Sequence, residues 1–349
     1  MPDAIAYTTA KLVGLVPNLK TSQNFLLDTF FRGTVESDTE EVIIDVDVGL
    51  RRMAPFCSPL VEGKLVEQRR YQSNKFKPAY IKDKRAPDLR KPVRRMIGER
   101  IGGELSAGER ELANLQMEMA DQVDMVNRRL EWMAASALTT GTVTIAGEGF
   151  PTTVIDFGRS ASLTVALTGG NRWGQTVNAN GRDTNIDGQI TDWAAAILKS
   201  SGATPTDLVF TNGAWKKFKT AEGVQGAIYY PTLAASQNEI EAGPKVQKGG
   251  VFMGIWGQFR LWLYNDWYID AAGVEQPMLP DGTVIMSGPE LMGTRAFGMI
   301  MDPKFAYKPM AYAPKTWIME DPAQRIIMLQ SAPLVIPSRV NAALCASVL

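Results

Sequence analysis

Residues 104–138, ELSAGERELANLQMEMADQVDMVNRRLEWMAASAL, carry the strongest structural signal in the chain. Apolar residues recur there in alternating steps of three and four, which places them on one face of a helix. These residues are Leu112, Leu115, Met119, Val123, Val126, Leu130, Met133 and Ala137. Ser106 followed by Glu109 predicts a capping box at the start, and Gly141 predicts the end. The pattern therefore predicts one helix over 104–138, roughly 45 Å long at 1.5 Å per residue.

The opposite face of this helix is predicted to be charged and exposed. It carries Glu109, Glu111, Glu118, Asp121, Asp124 and Glu131 against Arg110, Arg128 and Arg129. A coiled coil is the alternative, but the stripe lasts only about four heptads before strand signals begin. The helix is therefore expected to bury its apolar face within its own subunit.

Two segments of opposite charge precede the helix. Residues 1–50 contain eight acidic and three basic residues, whereas residues 51–100 contain fifteen basic and five acidic residues. Alternation over 63–69 and 74–82 predicts two strands joined by a polar turn at 70–73. A two-stranded ribbon is marginal alone in water, so this basic ribbon needs a surface to lie on. A solvated hairpin without a role is the alternative.

The remaining chain mixes helices and strands without regular alternation, which is typical of an α+β fold. The predicted elements after 138 are a hairpin of 142–146 with 152–157, a loop over 168–188, a helix over 186–201 that ends before Gly202, a strand at 207–211, a helix at 214–221, strands within 250–269 and 283–301, and strands at 325–329 and 334–336.

Composition excludes several classes of protein. Lysine plus arginine equals aspartate plus glutamate, 37 each, which argues against a dedicated nucleic-acid-binding protein. The absence of histidine removes the commonest general base and histidine-based zinc sites. Only two cysteines occur, Cys57 and Cys345, which fits a reduced cytoplasmic origin. Without an 18-residue apolar run or a basic, apolar N-terminal leader, we expect neither a membrane span nor secretion.

Candidate chemical sites are weak. The glycine pairs at 169–170 and 249–250 lack the Gly-Lys-Ser/Thr continuation of a phosphate loop. The acidic residues of 36–47 alternate with valine and isoleucine, which favours an exposed strand over a metal site. Trp256, Trp262 and Trp267 favour core or intersubunit packing over stacking on bases or sugars. We therefore predict no enzyme activity, no cofactor and no metal site.

Nine segments, in order along nearly the whole chain, resemble one family. They are YTTA at 7–10, FLLDTFFR at 25–32, TEEV at 39–42, GLRRMAPF at 49–56, SPLVEG at 58–63, GEGF at 147–150, DFGR at 156–159, DPAQR at 321–325 and QSAPL at 330–334. The sequence resembles the major capsid proteins of tailed bacteriophages, specifically the lambda-type head subunit of the major capsid protein E family.

The resemblance implies an HK97-like fold with a set order of parts. These are an N-terminal arm at 1–50, an extended E-loop at 51–100, a peripheral domain at 101–180 that contains the spine helix 104–138, an axial domain at 181–310, and peripheral strands at 311–349. It further implies a shell of hexamers and pentamers that encloses double-stranded DNA without sequence-specific binding, located in the virion and assembled in the cytoplasm of the host bacterium.

The resemblance also implies partners. A separate scaffolding protein and a portal are expected, a decoration protein is left open, and no membrane is involved. From the charge split we expect the E-loop to lie over acidic surface of a neighbouring subunit, with the spine helix and the arm as candidate partners. Arg69, Arg70, Lys75 and Lys77 are the predicted intersubunit contacts.

Three alternatives stay open at this point. An encapsulin-type compartment shares the implied fold. A shell welded by isopeptide bonds could join Lys75 or Lys77 to Asn341. A carbohydrate-binding enzyme that works with carboxylates would need a catalytic pair, which the sequence does not display.

Overall fold

The computed structural model describes residues 24–47, 53–54, 56–60, 62, 71–87, 106–147, 149–224, 227, 245–247, 249–270, 272–321 and 324–349. Its helices are α1 (Phe25–Phe30), α2 (Ala107–Thr140), α3 (Ile186–Ser201) and α4 (Asn212–Phe218).

The strands follow in chain order. They are β1 (Gly33–Glu36), β2 (Val42–Asp47), β3 (Tyr71–Phe76), β4 (Ile81–Arg85), β5 (Thr142–Gly147), β6 (Phe150–Asp156), β7 (Thr164–Ala166), β8 (Asp207–Phe210), β9 (Lys245–Gln247), β10 (Gly250–Trp256), β11 (Phe259–Leu263), β12 (Trp267–Ile269), β13 (Glu275–Pro277), β14 (Thr283–Ser287), β15 (Gly293–Phe297), β16 (Ala313–Met319), β17 (Gln324–Ser331), β18 (Pro333–Pro337) and β19 (Leu344–Ser347).

The long helix α2 confirms the predicted helix and both of its ends. The Ser106 hydroxyl accepts from the backbone N–H of Glu109, and the Glu109 carboxylate accepts from the backbone N–H of Ser106. At the other end Gly141 adopts φ 74°, and its N–H donates to the carbonyl of Ala137 at 3.0 Å. The apolar stripe is buried from Leu115 onwards, so tertiary packing stabilises the helix in addition to its caps.

A seven-stranded sheet forms the largest layer, in the order β7-β19-β14-β8-β11-β10-β9. On one face, Phe210 of β8 lies against Trp173 and against Phe218 of α4. On the other face, Trp262 of β11 lies against Phe25 of α1. The sheet is therefore covered on both sides, which explains why β8 and β14 are buried at every position.

Smaller sheets surround this layer. The chain forms three-stranded sheets β1-β15-β18 and β16-β17-β4, and the pairs β2-β3, β5-β6 and β12-β13. Helix α2 packs against β17, β18 and β19, which joins the small sheets to the large one. The predicted hairpin of 142–157, the helix 186–201, the strands at 207–211 and 325–336, and the α+β class are confirmed.

The predicted ribbon differs from the observed one. Tyr71, Gln72 and Ser73 lie in β3 rather than in a turn, and β3 pairs antiparallel with β2, with Val42 opposite Phe76. The predicted strand 74–82 is interrupted at Pro78, because proline cannot donate to a ladder, and the chain resumes as β4 on β17. The predicted strand at 63–69 lies outside the described residues. The ribbon thus begins in the acidic segment and returns in the basic one.

We predict that the two glycines at either end of α2 respond oppositely to alanine. A Cβ at Gly108 meets nothing within 4 Å, so Gly108→Ala should stabilise the helix by about 0.5–1 kcal/mol. A Cβ at Gly141 would lie 2.7 Å from the Cβ of Arg159 at a left-handed φ, so Gly141→Ala should cost at least about 1 kcal/mol. Urea unfolding of the unassembled subunit measures both, and equal effects would contradict the assigned ends.

Candidate assembly surface

We call the end of the β2–β3 ribbon where Val42 pairs with Phe76 its root. This end holds two of the four residues predicted from the sequence to contact a neighbour. Lys75 lies in β3 and its Nζ is 3.8 Å from a carboxylate oxygen of Glu41. Lys77 follows β3 and forms an ion pair with Glu40. All four side chains are more than half exposed, so each pair contributes little by itself. The acidic segment is thus a partner of the basic one within a single chain.

The other two predicted contacts, Arg69 and Arg70, lie outside the described residues. The intersubunit role of all four basic residues stays a prediction. Asn341, which the isopeptide alternative would join to a lysine, accepts a hydrogen bond from the backbone N–H of Ser160 through its side-chain oxygen at 2.9 Å.

Arg85, the last residue of β4, forms ion pairs with helix α2. Its guanidinium lies 3.1 Å from Glu118 and 2.5 Å from Asp121 on α2, and 3.0 Å from Asp83 on its own strand. Burial works to lower the pKa of Arg85, but the hydrogen bonds that it donates to Asp121, Asp83 and Glu118 outweigh burial and raise the pKa, so the side chain stays charged. Arg85 is one of the fifteen basic residues of 51–100, and the sequence pattern gives it no role of its own. The alternation of Ile81, Asp83 and Arg85, which places them on one face of a strand, was the available signal.

Tyr80, directly before β4, makes a second set of contacts at the opposite end of that strand. Its hydroxyl donates to the side-chain oxygen of Gln330 at 2.7 Å and accepts from the backbone N–H of Met301 at 3.1 Å. Gln330 in turn donates to Asp302, which also forms an ion pair with Lys315. Burial alone would raise the pKa of Asp302, but its hydrogen bonds, that from Lys315 foremost, lower it to about 2. The base of the ribbon is therefore held by satisfied, partly buried polar contacts.

Between β2 and β3, the described residues 53–54 and 56–60 include three large apolar side chains that are exposed. Met53 and Leu60 each expose 93% of their surface, and Phe56 is fully exposed. Scattered apolar residues are normal on a surface, but three within eight residues, here called the apolar patch, are typical of an interaction site. These three side chains therefore present apolar surface that the described part of their own subunit does not cover.

Glu131 was predicted to lie on the exposed face of the helix. That prediction is wrong, because this side chain is completely buried. It accepts from the backbone N–H groups of Leu26 and Leu27 at 2.9 and 3.0 Å, and from the Tyr264 hydroxyl at 2.9 Å. The two N–H groups belong to the first turn of α1, so Glu131 caps that helix from across the fold. Burial raises the pKa of Glu131 to about 7, although its three hydrogen bonds work to lower it.

The three tryptophans that were predicted to pack in the core or between subunits differ in their burial. Trp262 is buried, lies 5.2 Å from Phe25 between ring centroids, and donates to Asp207, which confirms a core role. Trp256 is half-buried against Phe218. Trp267 is more than half exposed and lies outside the core.

Two further properties of the described residues bear on chemistry. Within the described ranges, acidic and cysteine side chains nowhere gather in a group of three that could hold a metal ion. Nor does any helix of those ranges combine the length and the apolar character that crossing a bilayer requires.

Comparison with known proteins gives consistent matches. The sequence model of the phage major capsid protein E family matches residues 8–348. The major capsid proteins of Escherichia phage lambda and Escherichia phage N15 are each 28% identical to this chain over 335 residues, with 95% of both chains covered. The crystal structure of a prophage capsid protein from E. coli CFT073 superposes with a TM-score of 0.77 at 19% identity, and covers 99% of this chain and 100% of that one. The fold is HK97-like.

We expect Arg85→Gln to destabilise the subunit by about 1.5–3 kcal/mol, because three carboxylates lose a charged hydrogen-bond donor. Lys84→Gln is the matched control, since Lys84 is exposed on the same strand with its ammonium over the Trp317 ring. Urea unfolding of both variants at low and high salt measures the difference. A loss no larger for Arg85 than for Lys84 would show that the ion pairs of Arg85 are unimportant.

Glu131 should make stability depend on pH. A carboxyl whose folded pKa of about 7 exceeds its unfolded value of 4.5 favours the protonated folded state. Its contribution to the free energy of unfolding is therefore greatest below pH 4.5 and declines as pH rises to 7, by about 3 kcal/mol in all. In Glu131→Gln this decline between pH 4.5 and 7 should disappear from unfolding curves. An unchanged pH dependence of the unfolding free energy would contradict its assignment to Glu131.

Proposed function

The chain belongs to the phage major capsid protein E family, and from this premise we propose that the ribbon begun by β2 and β3 reaches over a second copy of the chain. The protein is a structural capsid protein of a phage virion and not an enzyme, and its copies assemble into a capsid shell. The proposal concerns how those copies hold one another.

The proposed shell is icosahedral, built from hexamers and pentamers, and encloses double-stranded DNA. A separate scaffolding protein and a portal take part in its assembly. Residues 1–50 serve as the arm, 51–100 as the E-loop, 101–180 and 311–349 as the peripheral domain, and 181–310 as the axial domain. Strands β7 and β19 complete the sheet of the axial domain from outside that range. The family match favours this function over an encapsulin-type compartment.

The observation that carries the proposal is the exposed apolar patch of Met53, Phe56 and Leu60. Burying an aromatic or a large aliphatic side chain is worth about 1.5–3 kcal/mol, so leaving three of them in water is costly unless a partner covers them. In a shell of many copies that partner is always adjacent. The contacts of Arg85 and Tyr80 hold the base of the ribbon and involve none of these three residues.

The charge of the ribbon indicates which kind of surface it contacts. Residues 51–100 carry ten more basic than acidic residues, whereas α2 carries six acidic and three basic residues. The pairs at Lys75 and Lys77 satisfy part of that excess at the root, which leaves most of it for other surfaces. Each exposed pair contributes on the order of 0–1 kcal/mol. Many such pairs repeated around a closed shell add up by multivalency, while single subunits bind weakly.

We expect the joint reversal Arg69→Glu/Arg70→Glu/Lys75→Glu/Lys77→Glu to block assembly. The acidic ribbon would then face acidic surface on the neighbour and on its own root. Electron microscopy and sedimentation of the expressed protein measure the yield of shells. Shells of normal size and yield from this variant would refute the proposed contact.

A charge swap separates contacts within a chain from contacts between chains. Adding Glu40→Lys/Glu41→Lys to Lys75→Glu/Lys77→Glu restores both ion pairs at the root. The proposal predicts that the swapped chain melts like the parent but still assembles poorly. Full recovery of shells would restrict the intersubunit contact to Arg69 and Arg70.

A further inference from the structure

The hairpin β12–β13 presents its apolar side to solvent. Trp267 pairs with Pro277 and Ile269 with Glu275, so these residues share one face of the two-stranded unit. Trp267 exposes 54% and Ile269 exposes 73% of its surface. Tyr268, on the other face, packs against the core of its own subunit. A two-stranded hairpin with an uncovered aromatic face lacks the burial that normally stabilises one.

Acidic residues border this apolar face. Asp266 directly precedes Trp267, Glu275 lies opposite Ile269, and both are exposed. The stretch 264–292 contains five acidic residues and no basic ones. Asp270 is engaged by the backbone N–H groups of Ala272 and Val274, which fixes the turn between the strands. The hairpin therefore combines an apolar centre with an acidic rim.

A surface of the opposite character lies at the far end of α4. Lys216, Lys217 and Lys219 are exposed there, and no ion pair among the described residues includes them. The start of α4 lies beside the base of the hairpin, because the N–H of Asn212 donates to the side chain of Asn265 at 3.0 Å. The basic end is about 10 Å further along the helix at 1.5 Å per residue. The start of α4 and the base of the hairpin thus follow the carboxyl ends of the neighbouring strands β8 and β11, but the basic and acidic surfaces form no ion pair among the described residues of one chain.

We propose that the β12–β13 hairpin of one copy docks on the basic end of α4 of the next copy. The apolar face is covered by that neighbour, and the acidic rim meets its lysines. Two different surfaces that fit each other generate a head-to-tail contact, which closes into rings when the rotation between copies allows it. This contact involves none of the residues of the ribbon, so it can fail while the ribbon proposal stands.

A set of charge variants tests the contact. The first chain carries Lys216→Glu/Lys219→Glu, and the second carries Glu275→Lys. Each alone should melt like the parent and lose assembly, since like charges then face each other. All three changes in one chain should restore assembly, because the contact is complementary again with its polarity reversed.

Co-expression shows whether the contact lies between chains. With an affinity tag on the first chain only, the two defective chains should be recovered together as oligomers, because each supplies the surface that the other needs. Recovery of the tagged chain alone would overturn the proposal, and so would a folded three-change chain that does not assemble.

The apolar face has its own test. Trp267→Ser/Ile269→Ser should lower the yield of assembled protein at least about tenfold, while the melting temperature of the subunit stays unchanged. Ile318→Ser is the matched control, since Ile318 is an exposed apolar residue on β16. Normal assembly of the double variant, or an equal loss in the control, would contradict a role for the hairpin.

Discussion

The buried carboxylate of Glu131 joins three parts of the chain that are more than a hundred residues apart. It lies on the spine helix, caps α1 through Leu26 and Leu27, and receives the hydroxyl of Tyr264 beside the large sheet. A buried carboxyl group, protonated or charged, is costly unless it is hydrogen-bonded, so each of the three elements depends on the other two. Helix α1 leads directly to β1 and β2, so this junction also fixes where the ribbon leaves the body.

From that junction outward, contacts change from buried and specific to exposed and weak. Arg85 and Tyr80 hold the base of the ribbon with partly buried hydrogen bonds. Lys75 and Lys77 make exposed pairs, and Phe56 is uncovered. This order suits a shell subunit, which must be rigid before assembly but must hold neighbours by many small contributions. Strong pairwise contacts would trap wrongly joined copies.

The sequence predicts most elements but not their partners. Helix α2 and helix α3 were predictable because caps and a 3.6-residue period are local signals, and Gly141 and Gly202 mark their ends. The strand that pairs with β3 was not predictable, since alternation shows which residues share a face but not which strand lies beside them. Glu131 was assigned to the wrong face because it directly follows Leu130, and only the tertiary fold supplies the donors that allow a carboxylate there.

The central claim is that the ribbon holds a second copy in the shell. Cryo-electron microscopy of shells assembled from the purified protein tests it most directly. We expect Met53, Phe56 and Leu60 of one subunit to lie against a neighbouring subunit, with basic residues of 51–100 beside acidic residues of that neighbour. A ribbon that folds back onto its own spine helix in the shell, with its apolar patch covered there, would contradict it.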